Sequence, residues 1–113
     1  QLGCLSTIAT LAPENLTMIL MDNGSYQITG GQPTPAATVA DLIAVAIDCG
    51  ISNSVWAADE DDFERLIEQS LGASAPMLIG VRIDDKPGVG ATRRDPVQIR
   101  EHFMRGLGVR QAL

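Results

Sequence analysis

Oxygen donors crowd residues 21–34, MDNGSYQITGGQPT, directly after the apolar run LTMIL. Asp22 carries a carboxylate, Asn23 an amide oxygen and Ser25 a hydroxyl. Gly24 lets the backbone turn so that the Ser25 carbonyl can point the same way as the Asn23 amide. Hard oxygens of this kind suit magnesium, which usually keeps several waters and shares its shell with a substrate phosphate. One amide and one carbonyl bind weakly alone. A diphosphate and one more carboxylate would complete an octahedron. Gly30 and Gly31 would let the backbone come close to a bulky ligand. The bland reading uses the same residues: Asp-Asn-Gly is a common turn, and Asn favours such turns with nothing bound. On the residues alone both readings stand.

Other reactive side chains point to less. His102 is the only histidine, and it lies near Arg100 and Arg105 with no catalytic partner in sight, so it reads as a solvated helix residue. Cys4 and Cys49 sit in apolar surroundings with no basic neighbour to generate a thiolate, so both read as small core fillers. The acidic run Asp59, Glu60, Asp61, Asp62 reads as helix-start charge. Arg93 and Arg94 could meet an anionic substrate, although exposed basic pairs are routine. Trp56 reads as core.

The elements that must position the oxygen-rich loop alternate along the chain. QLGCLSTIATLA reads as helix, with Leu2, Leu5, Ile8 and Ala9 on one face. LTMILM, residues 16–21, is apolar enough for a strand covered on both faces. After the loop, Thr34 as cap and Pro35 in the first turn open a helix whose stripe is Val39, Leu42, Ile43, Ala46 and Ile47, with Gly50 ending it in a left-handed conformation. VWA, residues 55–57, is a brief strand. Asp59 caps the next helix, whose stripe is Phe63, Leu66, Ile67 and Leu71 and which Gly72 closes. PMLIGVRID, residues 76–84, is the third strand. A glycine-rich connection leads to a last helix, capped by Asp95 with Gln98 in capping-box position and faced by Ile99, Phe103 and Leu107. This order predicts an α/β fold: a three-layer, mainly parallel sheet with helices on both faces. Three strands leave two open edges and a small core, which predicts a homo-oligomer or further strands.

The bulk numbers are compatible with this. The 113 residues suit a single domain. Apolar residues make up 45% of the chain, so the composition is that of a folded protein. A net charge of −6 argues against a nucleic-acid surface. Two cysteines without a CxxC make neither a disulfide framework nor a zinc site and point to a reducing cytoplasm. No apolar run reaches membrane-spanning length, and no internal repeat or low-complexity tract occurs. The helix already under way at Gln1, without a cap, reads as the middle of an element and the chain as a piece of a longer one.

LTMILMDNGSYQITGGQPT resembles the second half of the diphosphate-binding motif of thiamine-diphosphate enzymes. In that family a Gly-Asp-Gly opens the motif, and an Asn closes it about a helix and a strand later. Asp22-Asn23 stands at the closing position. The DNGxYxxTGGQPT run resembles the small 2-oxo acid decarboxylases that act on sulfopyruvate or phosphonopyruvate, and ATRRDPVQIREHFMRGLG resembles their C-terminal end. The resemblance covers essentially all of the chain. It implies that residues 1–113 are the C-terminal portion of a single, incomplete thiamine-diphosphate-binding domain, with thiamine diphosphate and Mg2+ as cofactors. The metal ligands it implies are the Asn23 side-chain oxygen and the Ser25 carbonyl. Gly24, Tyr26, Thr29, Gly30 and Gly31 would lie beside the cofactor.

The departures matter as much. The Gly-Asp-Gly, whose Asp is the charged metal ligand, would fall just before Gln1 and is absent. So is the glutamate that the family supplies from a separate pyrimidine-binding domain or subunit. The resemblance therefore implies a carboxy-lyase acting on a small 2-oxo acid in the complete protein, and an inactive piece here. Two rivals remain. TGGQ also occurs in the thiamine-binding subunit of 2-oxo acid:ferredoxin oxidoreductases, enzymes that need iron–sulfur clusters, and no cysteine cluster is seen in this chain. The chain could also be a non-catalytic interaction module that keeps the fold alone.

Overall fold

A computed structural model describes residues 2–86, 90 and 94–109. Gln1, and Arg93 of the basic pair, lie outside the described residues. The sheet is parallel and open. Strands β1 (Thr17–Asp22), β4 (Asn53–Trp56) and β5 (Met77–Arg82) stand in the order β1-β5-β4, so the last strand is central and the first two are edges. The register pairs Thr17 with Met77 and Asp22 with Arg82 on one side of β5, and Asn53 with Met77 and Trp56 with Gly80 on the other.

Side chains alternate across a strand, and the two faces have different cover. On one face, helices α1 (Leu2–Leu11) and α2 (Leu42–Asp48) close over Leu78, with Ile43, Ala46 and Ile51 buried and Leu5, Ile8, Ala9, Met18, Leu20 and Trp56 packed around them. On the other, helix α3 (Glu60–Leu71) buries Leu66 against Met77 and Ile79, with Val55, Phe63, Ile67 and Val81 alongside. The three-layer α/β fold expected from the sequence is present.

Several local expectations are corrected. β1 is not covered on both faces: Ile19 and Met21, which point to the α3 side, are exposed because α3 lies over β4 and β5. Thr34 makes no side-chain cap, and Pro35 opens only a 3-10 turn, Pro35–Ala37. The helix proper starts later, because Asp41 accepts from both Ile43 N (2.9 Å) and Ala44 N (3.2 Å) and fixes the N-terminus there. Val39 is therefore outside the helix and exposed, and of the predicted stripe only Ile43 and Ala46 are buried. In α3 the buried fourth position is Ser70, whose hydroxyl donates to Ile67 O at 2.8 Å; Leu71 is 84% exposed. Leu2 and Cys4 are exposed as well, so Cys4 is no core filler.

The caps at Asp59 and Asp95 form as expected, with Asp59 accepting from Asp62 N at 2.8 Å and Asp95 from Val97 N at 2.9 Å. Gly50 ends α2 with φ +101. Helix α4 (Pro96–Gly106) buries no residue, and the face formed by Ile99, Phe103 and Leu107 is exposed.

Candidate functional site

Strand β1 delivers Asp22 to the carboxyl edge of the sheet, where open α/β folds place their ligands. The chain then turns through two successive side-chain-to-backbone bonds. Gly24 N donates to Asp22 Oδ1 at 2.9 Å, and Ser25 N donates to Asn23 Oδ1 at 3.0 Å. Gly24 has φ +65, a conformation that costs a side-chain-bearing residue energy. The loop is not irregular throughout. Ser25–Tyr26 (β2) pairs antiparallel with Gln32–Pro33 (β3), a small ribbon that the sequence reading missed. Thr29 N and Gly31 N both donate to Tyr26 O, at 3.1 and 3.0 Å, and the positive φ of Gly30 (+131) and Gly31 (+73) brings the chain back. Thr34 N closes the ring on Gly24 O at 2.9 Å. Gln27 Nε2 ties the tip to Asp85 O.

Asn23, Ser25, Tyr26 and Thr29, four of the seven residues singled out from the sequence, line one shallow groove of about 350 Å³ with Gln27 and Ile28. Gly24 forms its turn, and Gly30 and Gly31 lie in the exposed return of the same loop. Ile28 is 100% exposed, an apolar tip that sequence reasoning passed over. Among the described residues no group of three or more His, Cys, Asp or Glu side chains could hold a metal ion. The side-chain oxygens that line the groove, those of Asn23, Ser25, Tyr26, Gln27 and Thr29, are neutral. Asn23 Oδ1 accepts one N–H and keeps a second lone pair. The buried hydroxyl of Thr34, whose backbone is bonded to Gly24, has no hydrogen-bond partner. Neutral oxygens on one side plus an unused buried hydroxyl fit one flank of a cation carrying phosphate, and fit a self-contained metal site poorly.

The carboxylate of Asp22 is otherwise engaged. Its side chain is only 7% exposed; one oxygen holds the turn and the other lies 3.6 Å from Arg82 Nη1. Arg82 in turn stands over the Trp56 ring, 4.4 Å from guanidinium carbon to centroid. Trp56 Nε1 donates to Asp41 Oδ1 at 3.0 Å, and this bond, with the Ala44 amide next, holds the Asp41 carboxyl below its usual range. Asp22, Arg82 and Trp56 thus end the three strands on the same sheet face, and Asp41 caps the helix above them. Residue type alone marks Asp22 as an oxygen donor and Trp56 as core, but not the row they form with Arg82 and Asp41. Its signal was present in the alternation of Leu78, Gly80 and Arg82, which put a glycine and then a cation beside the tryptophan position.

The remaining candidates fall away from the corner. Asp59 is a helix cap, and Asp62 bonds Ala58 N and Arg65, which lowers its pKa, the Ala58 bond being the larger cause. His102 and Arg94 are exposed.

No protein-family model matches the chain. Curated relatives do. A phosphonopyruvate decarboxylase from Streptomyces viridochromogenes is 32% identical over 105 residues, 91% of this chain and 26% of the relative. One from Streptomyces hygroscopicus is 38% identical over 102 residues, 89% of this chain and 25% of the relative. The beta subunit of a sulfopyruvate decarboxylase from Methanothermobacter thermautotrophicus is 38% identical over 108 residues, 93% of this chain and 54% of the relative. Over most of its length the chain resembles part of these decarboxylases. It spans about a quarter to about half the length of the relatives it matches. The matched stretch holds both the oxygen-rich corner and the row of strand ends beneath it, since it takes in about nine-tenths of the chain.

Proposed function

We propose that the chain is the thiamine-diphosphate- and magnesium-binding portion of a 2-oxo acid decarboxylase whose substrate carries a sulfonate or phosphonate group. The observation that carries this reading is the likeness of the whole corner-bearing stretch to relatives bearing those names. It is supported by the geometry of Asn23 and Ser25, which stand on a turn at the carboxyl end of β1 with oxygens available on an open groove.

When bound, thiamine diphosphate supplies the electron sink for loss of carbon dioxide, and the protein supplies position and charge balance. Here Asn23 gives its amide oxygen, and Ser25 its carbonyl, to magnesium. Tyr26, Thr29, Gly30 and Gly31 border the diphosphate, where glycine backbone admits close approach. The Thr34 hydroxyl, buried and without a partner beside the Gly24 turn, would be the donor held for a phosphate oxygen. These are neutral groups, so a charged ligand from elsewhere in the full-length protein completes the shell. The acid that engages the aminopyrimidine comes from a pyrimidine-binding domain or subunit. Relatives named as a beta subunit support a partner subunit. The 113-residue chain is one flank of a site and inactive alone.

Calorimetric titration of the full-length protein and its partner with thiamine diphosphate, with and without magnesium, tests this. Asn23→Ala is expected to weaken magnesium-dependent binding by at least about tenfold, the scale of a lost contact in a metal's coordination environment. Unchanged affinity removes Asn23 from the metal. The 113-residue chain alone is expected to bind weakly or not at all; submicromolar binding would show that no charged ligand is missing.

A further inference from the structure

We propose that Arg82 is a positioning residue for the cofactor corner: held between the Trp56 ring and the Asp22 carboxylate, it fixes the turn that presents Asn23 and Ser25. This rests on the cofactor reading above but names residues that reading does not use. Arg82 is the last residue of the central strand, paired in register with Asp22, the last residue of β1. Its guanidinium is constrained from two sides, by the indole at 4.4 Å and by Asp22 Oδ2 at 3.6 Å. A planar guanidinium suits this arrangement because its face can stack on the indole while its charge stays beside the carboxylate, here as an ion pair on a side chain that is itself 64% exposed.

The support behind it is continuous. Trp56 is held by Asp41 Oδ1 at its indole nitrogen, and it lies across Gly80, where an added Cβ would meet a ring carbon at 2.5 Å. In front of it, Asp22 passes the constraint on. Its second oxygen accepts from Gly24 N at 2.9 Å, and the neighbouring Asn23 amide accepts from Ser25 N. Asp22 is nearly buried, and a buried carboxylate needs both its hydrogen bond and a countercharge to stay where it is. Without Arg82 it would swing toward water and release Gly24. The Asn23 amide and Ser25 carbonyl would then sample several directions. Magnesium tolerates this poorly, because it demands near-ideal octahedral geometry. The aspartate nearest the candidate metal ligands thus orients them and does not bind the ion itself.

The experiment compares Asn23→Ala, Arg82→Met and Arg82→Lys in the full-length protein with its partner. Met keeps an apolar stem against Trp56 and removes the charge; Lys restores the charge. Two quantities are read: thiamine diphosphate affinity at limiting and saturating magnesium, and amide exchange of residues 22–26 without ligand. Arg82→Met is expected to raise exchange in that segment, leave exchange in α3 unchanged, and weaken binding about tenfold at limiting magnesium, the scale of a lost outer-shell partner. Saturating magnesium recovers part of the loss, and Arg82→Lys recovers most of both effects. Unchanged exchange in Arg82→Met overturns the inference whatever the affinity. Raised exchange with unchanged affinity also overturns it, because the order of the turn then has no bearing on the metal. So does a Lys variant no better than Met. If Asn23→Ala alone leaves affinity unchanged while Arg82→Met weakens it, the Asn23 ligand assignment fails and the positioning role stands.

Discussion

Gly80 is empty of side chain because Trp56 occupies the space above it. An alanine Cβ there would fall 2.5 Å from one ring carbon and 2.7 Å from another, well inside contact distance. The indole cannot retreat freely, since its nitrogen is bonded to Asp41 and its ring carries Arg82. Gly80→Ala is therefore expected to destabilise the fold by about 1–3 kcal/mol, the usual cost of forcing volume into a packed site. Urea denaturation followed by fluorescence measures it, since Trp56 is this chain's only tryptophan. A variant as stable as the parent would mean that the indole has room to move. The same residues show what a sequence hides. Asn23, Gly24 and Ser25 could be picked out because donor type and turn chemistry lie side by side in the chain. Asp22 looked like one more oxygen ligand, because its real partner, Arg82, is brought to it only by the pairing of β1 with β5.

Helix α3 shows how periodicity and packing part company at an element's end. Phe63, Leu66, Ile67 and Leu71 share a helical face by spacing, yet in the last turn the buried line runs from Leu66 to Ser70 and leaves Leu71 outside it. Leu66 is 3% exposed and Leu71 84%. Leu66→Ala is expected to cost about 2–5 kcal/mol, as for a buried leucine. Leu71→Ala is expected to stay within about 0.5 kcal/mol, as for an exposed site. Denaturation midpoints of the two variants decide it, and equal losses would show that Leu71 is packed as Leu66 is. Helix existence and order were readable throughout, because apolar spacing and Asp caps are local signals; Asp59 and Asp95 cap where expected. The start of α2 was not. Thr34-Pro35 is a good local start, but Asp41 collects two amide bonds and the Trp56 indole, and that tertiary contact settles where the helix begins. The β2–β3 ribbon was missed for a related reason: two-residue strands carry no periodicity to detect.

At the scale of the molecule, the sheet is finished on its central strand and unfinished at its rims. Among the described residues β1 and β4 each pair only with β5. Beside the β1 edge Ile19 and Met21 lie open, and Val97, Ile99 and Phe103 of α4 are exposed. The radius of gyration is 16.7 Å, against about 13 Å expected for a compact domain of this length. No helix of the described residues is long and apolar enough to cross a membrane. Unpaired strand edges next to apolar side chains favour pairing with another chain. The 113-residue chain by itself is expected to self-associate, with a weight-average sedimentation coefficient that climbs with concentration. Ile19→Lys with Met21→Lys is expected to reduce that climb, because charge beside an edge opposes strand addition. Neither side chain belongs to the buried clusters on the two sheet faces, so the double variant keeps the fold. A monomer at every concentration would mean that the β1 rim is not a contact surface. Association untouched by the lysines would move the contact to α4 or to β4. In the full-length protein, a partner subunit or the rest of the polypeptide is expected to suppress the association by covering the same rim, which ties the architecture to the one-flank site that β1 delivers.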